Sequence, residues 1–138
     1  MVVRPMRETM RRRGRASRAR HGACLMKKIE AVIRPFMVDD LKDALIALGV
    51  GGMTVTEVHG VGDESDRITA GSDADPRGDL VPKAAVEVVV ADDVLASVVS
   101  VICQVGRTWR AGDGQVFVLP ISAAIRISTG ERGEAVLC

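Results

Sequence analysis

A chain of 138 residues with 47% hydrophobic content has room for one domain with a core of its own. Its aromatic share is only 2%, so that core must be built from Val, Ile, Leu and Ala, and an aromatic platform for stacking nucleic-acid bases is excluded. The net charge of +1 conceals two unlike parts, because residues 1–25 carry +7 and residues 26–138 carry −6.

The first part, "MVVRPMRETMRRRGRASRARHGACL", has neither the apolar run of a signal peptide or membrane span nor a helical stripe of apolar residues. It reads as a disordered basic extension. Met26 is a natural start for the functional chain. A nucleic-acid or membrane-surface role for the extension is the competing reading. Cys24, Cys103 and Cys138 are odd in number, far apart and without metal spacing, which suits a reduced, cytoplasmic chain.

From Met26 onward the pattern alternates. "KKIEAVI" predicts a strand that stops at Arg34-Pro35. A helix follows, with Asp39 and Asp40 at its positive end, Val38, Leu41, Leu45 and Leu48 on one face, and Gly49 as a left-handed cap. "TVTEVHGV" predicts the second strand. Residues 62–79, "GDESDRITAGSDADPRGD", are polar and longer than the roughly 12–15 residues beyond which a loop in a compact domain is usually functional or disordered. "VPKAAVEVVV" has the β-branched, nearly continuous apolar character of a central strand. The second helix is expected to begin at Asp92 or Asp93, to present Val94, Leu95, Val98, Ile102 and Val105 on one face, and to close at Gly106. "QVFVLPIS" predicts a strand ending at Pro120, and "AAIRIS" a short fifth one.

The order β-α-β-β-α-β predicts an α+β, ferredoxin-like βαββαβ sandwich, both helices covering one face of a four-stranded antiparallel sheet. The other face, carrying Val86, Val88 and Val90 or their alternates, would then need cover, which implies an oligomer packed sheet to sheet.

Four strings in this order, "MKKIEAVIRPF", "GMTVTEVHGVG", "LVPKAAVEVVV" and "GDGQVFVLPISAAIRISTGERGEAVL", resemble the PII signal-transduction proteins of nitrogen regulation. The resemblance covers essentially all of residues 26–138, which it makes a PII-like domain. It implies a cytoplasmic, non-enzymatic homotrimer that binds ATP or ADP in the clefts between subunits. It also makes residues 62–79 the T-loop, which docks on a partner transporter or enzyme, with nitrogen metabolism as the expected setting. Nucleotide-site positions of the family fall on Val32, Thr54, Gly62, Lys83, Val89, Gly112, Asp113, Gly114, Gln115, Arg126 and Ser128. Glycine suits such a site because, lacking Cβ, it lets phosphate approach backbone N–H groups.

Several positions depart from the family pattern. Gln115 stands where the family has a phosphate-binding lysine, and Ser128 where it has a second arginine after Arg126. Both changes remove positive charge, which Arg107, Arg110 or Arg132 can restore only in part. Glu64 replaces a glutamine that helps hold Mg²⁺ beside 2-oxoglutarate. A carboxylate suits Mg²⁺ but repels the dianionic 2-oxoglutarate, so sensing of that metabolite is not expected. At the loop tip, Pro76 replaces the uridylylated tyrosine, Ala74 the phosphorylated serine, and Ser72 the arginine that plugs ammonium channels, with Arg77 nearby as a shifted contact. The partner is therefore expected to differ from the usual set. Bicarbonate or metal transport, where PII-like proteins also occur, is an alternative setting. A metal-binding trimer similar to the CutA proteins, using the acidic loop or Cys138, is the competing class.

Overall fold

The computed structural model describes residues 26–61 and 80–137. Its elements are β1 (Met26–Ile33), a 3-10 turn (Pro35–Met37) leading into α1 (Val38–Ala47), β2 (Thr54–Gly60), β3 (Val81–Ala91), α2 (Leu95–Gly106), β4 (Gly114–Ile121) and a closing 3-10 helix (Gly133–Leu137). The strands form one sheet in the order β2-β3-β1-β4, all neighbours antiparallel. This is the ferredoxin-like arrangement expected from the order of elements.

Alternation decides which side chains become core. Ile29, Ala31 and Ile33 of β1 face the helices together with Ala84, Val86, Val88 and Val90 of β3. Leu41 and Leu45 of α1 and Val98 and Ile102 of α2 close over them, all essentially solvent-free. Val86, Val88 and Val90 therefore belong to the helix-covered face, and their alternates Ala85, Glu87 and Val89 look out from the other one.

That open face is not simply apolar, as the sequence pattern had suggested. Lys28 donates to Glu87 at 2.6 Å and lies 3.8 Å from Glu30, an ionic centre flanked by Phe117 and Leu119, which are half exposed. The face still offers apolar surface, but around a charged middle.

Three local expectations are revised. α2 begins at Leu95, because residues 92–94 form a turn in which the Val94 N–H donates to Ala91 O. Gly106 closes α2 as expected, as its last and buried residue, where a Cβ would meet Ile33 Cγ2 at 3.6 Å, an ordinary van der Waals distance. Pro120 does not end β4; it pairs with Lys27, tolerated because β4 is an edge strand. "AAIRIS" forms no strand, only an isolated bridge between Ile125 and Arg132. The intervening residues turn too sharply, through bonds from Gly130 N–H to Arg126 O and from Arg126 N–H to Glu131 O.

Candidate functional site

Residue choice at the start of β4 is governed by a close approach. Gly112 and Gly114 have φ of 86° and 110°, and a Cβ on Gly114 would collide with the carbonyl of Val32 on β1. Only glycine fits. The loop before it is fastened from outside by two cations. Lys83, nearly buried near the start of β3, donates to Gly112 O at 2.8 Å, and Arg34 donates through Nη2 to Ala111 O at 2.7 Å.

Asp113 ties the loop to itself. Its carboxylate accepts from the Thr108 backbone N–H at 2.8 Å and from the Thr108 hydroxyl, and lies 3.4 Å from Arg34 Nε. Burial pushes its pKa up, but the Thr108 bonds and the Arg34 charge outweigh that, so the carboxyl sits below its ordinary range and is ionised at neutral pH. Asp113, Gly114 and Gln115 line a cleft of about 450 Å³ between α2 and β4, with Cys103 and Arg107 on its helix side. Arg107 lies over the Trp109 ring, 4.7 Å from its centroid. Val32 pairs with Gln115 on one side and Ala85 on the other, which puts it on the open face beside this loop.

The remaining described positions lie elsewhere. Thr54, Val89 and Arg126 line a second cleft of about 470 Å³ together with Lys28 and Glu87. Hydrogen bonding to Glu87, more than burial opposes it, raises the pKa of Lys28 and keeps its ammonium charged. Arg126 donates through Nη2 to Ala135 O and Val136 O, both at 3.2 Å, and pairs with Glu131 at 3.1 Å, holding the closing 3-10 helix. Ser128 is exposed on the turn beyond it.

The length of β3 keeps the two groups apart. Lys83 and Val89 are six residues apart on one strand, roughly 20 Å. The structure thus brings Val32, Lys83, Gly112, Asp113, Gly114 and Gln115 together at one end of the sheet, and Thr54, Val89 and Arg126 at the other. Gly62, Glu64, Ser72, Pro76, Arg77 and Cys138 lie outside the described residues.

The supports Arg34, Thr108, Lys28 and Glu87 were not singled out from sequence. Arg34 reads there only as the end of a strand before proline. The alternation of β1 and β3 did place Lys28 and Glu87 on a shared face, a signal that pairing could have exploited.

The family model "Nitrogen regulatory protein P-II" matches residues 26–131. The chain belongs to this P-II family. It is 47% identical over 109 residues to the nitrogen regulatory protein P-II of Cereibacter sphaeroides, covering 79% of this chain and 97% of that one. Against nitrogen regulatory protein P-II 1 of Escherichia coli K12 the identity is 41% over 112 residues, 81% of this chain and the whole of that one. The crystal structure of Arabidopsis thaliana PII bound to citrate superposes with a TM-score of 0.67 at 36% identity, covering 80% of this chain and 91% of that one. This P-II protein is accordingly a nitrogen regulatory signal-transduction protein, a signalling rather than an enzymatic molecule. Among the described residues no helix is long and apolar enough to cross a membrane, and no group of three or more His, Cys, Asp or Glu is placed to hold a metal.

Proposed function

We propose that this P-II protein is a cytoplasmic homotrimer that binds ATP or ADP between subunits and uses residues 62–79 to control a partner transporter or enzyme of nitrogen metabolism. The functional unit is residues 26–138, preceded by a basic extension. The observation that carries the reading is the separation of the two half-sites. The glycine loop with Lys83 and the Thr54–Val89–Arg126 cleft lie at opposite ends of one sheet, so a single nucleotide reaches both only if a second copy supplies one of them. The glycine loop has the features that phosphate needs: two glycines in the left-handed region, a nearly buried lysine, and no room for a side chain at Gly114. Thr54 and Val89 supply the apolar and hydroxyl surface that suits a nucleoside. Mg²⁺ at Glu64 belongs to the same reading.

A mixing experiment tests the shared cleft. Lys83→Met and Arg126→Gln each damage a different half-site, so each variant alone should lose nucleotide binding in calorimetry. Mixed trimers formed by co-expression should regain it, because some clefts then combine two intact halves. A wild type that binds while the mixture stays silent would rule out a site shared between copies.

A further inference from the structure

We infer that Trp109, flanked by Arg107 and Arg110, is a rigid docking platform for a partner protein, taking an acidic segment that carries an aliphatic side chain between its carboxylates. The inference deepens the partner-control reading and rests on it. Residues 62–79 are not part of the platform.

The chain has only two Phe and one Trp, and none of the three belongs to its core. Phe117 lies on the open sheet face. Phe36 and Trp109 are 68% and 83% exposed at the glycine-loop end of the sheet, where Arg34 ties the Pro35–Met37 turn to Ala111 O and Asp113. Val61 and Leu80, which follow β2 and precede β3, are exposed at the same end. Apolar residues scattered singly over a surface need no explanation. Trp109 does, because its backbone is held at φ 63°, a region that an L-residue enters only at a cost, and the exposed indole makes no buried contact in return. Strain kept without structural return points to function.

The platform is in place before any partner arrives. Lys83 holds Gly112 O, Arg34 holds Ala111 O, and the Asp113 carboxylate closes the turn on Thr108. The indole is therefore presented without the entropy cost of ordering a mobile segment. Trp and Arg are also the side chains that most often dominate binding at protein interfaces.

Charge selects the partner. The Asp113 carboxylate is engaged by Arg34 and Thr108, whereas Arg107 and Arg110 are exposed and form no ion pair among the described residues. Arg107 lays the flat side of its guanidinium on the indole, 4.7 Å from the centroid, which leaves its N–H edge for a carboxylate. A discrete acidic segment can reach both arginines. A continuous anionic surface, such as a lipid bilayer or a nucleic acid, would also meet Asp39 and Asp40, exposed at the start of α1 just beyond Phe36, and be repelled by them.

The test is selection of short random peptides, displayed on phage, against the full chain, followed by calorimetric titration of the selected peptides. The selected sequences are expected to pair Asp or Glu with Leu, Ile or Met. Trp109→Gly, which relieves the backbone strain, should weaken their binding about tenfold or more while leaving the assembled mass unchanged. Arg107→Gln/Arg110→Gln should weaken it and flatten its dependence on salt. Peptides that bind Trp109→Gly as tightly as the unaltered chain would overturn the platform, and so would a selection without acidic residues or one that yields no peptide. A Trp109→Gly protein of altered assembled mass would overturn it too, by assigning the indole to a contact between copies. Peptides that ignore Trp109 but lose binding when a Gly-Ser linker replaces residues 62–79 would overturn the platform and leave the docking-loop reading standing.

Discussion

Trp109 is the only non-glycine residue among those described whose backbone lies in the left-handed region, at φ 63°. For an L-residue this conformation costs on the order of 1–2 kcal/mol. Nothing buried repays it, because the indole is 83% exposed and its one recorded ring contact is the Arg107 guanidinium, worth roughly 0.5–1 kcal/mol at an exposed site. Trp109→Gly should therefore raise stability by about 1 kcal/mol, read as a higher urea midpoint by circular dichroism with an unchanged m-value. A lower midpoint would mean that the indole holds the loop against something other than Arg107. Asp113 shows the same loop from its polar side. Its carboxylate, spread over two Thr108 donors and Arg34, fixes the turn that Trp109 strains.

Among the elements, α1 is the one whose sequence signals agree most closely with its structure. Arg34 is extended, as a residue before proline should be, and Pro35 opens the 3-10 turn that feeds the helix. At the other end the Gly49 N–H donates to Ile46 O and the Val50 N–H to Leu45 O, with Gly49 at φ 86°, the two-bond closure that a left-handed glycine permits. A Cβ on Gly49 would meet nothing within 4 Å, so Gly49→Ala should act through backbone strain alone. A loss of about 1 kcal/mol in thermal unfolding is expected; a loss several times larger would show that the cap supports more than its own helix. α2 lacks this agreement. Its acidic pair at 92–93 suggested an earlier start, but those residues are taken up in a turn, although the helix does close at Gly106.

For the whole molecule the open sheet face is the deciding feature. Phe117 and Leu119 remain 49% and 40% exposed beside the Lys28–Glu87–Glu30 centre, an apolar area that the proposed homotrimer would cover. If the proposed homotrimer packs on this face, Phe117→Asp should give a monomer in size-exclusion chromatography with light scattering where the unaltered chain gives a trimer, leaving the far-ultraviolet spectrum intact because the helix-covered core is untouched. A mutant that retained the assembled mass would place the interface elsewhere.

The sequence by itself determined the local choices that depend on neighbours along the chain. Alternation in β1 and β3, the apolar stripe of α1, the glycine cap and the order of elements each rest on a period or a dihedral preference, and the four quoted strings were enough to point to the family. Gly112 and Gly114 were legible as candidate phosphate contacts, although their turn could have been an ordinary one. Tertiary structure alone decided what depends on register between distant strands. It made Gly114 obligatory through the Val32 carbonyl, turned Arg34 and Lys83 into supports of the glycine loop, and gave Arg126 to the closing 3-10 helix. Which residues share a site is fixed by pairing across the sheet, and pairing joins residues that are dozens of positions apart in the chain.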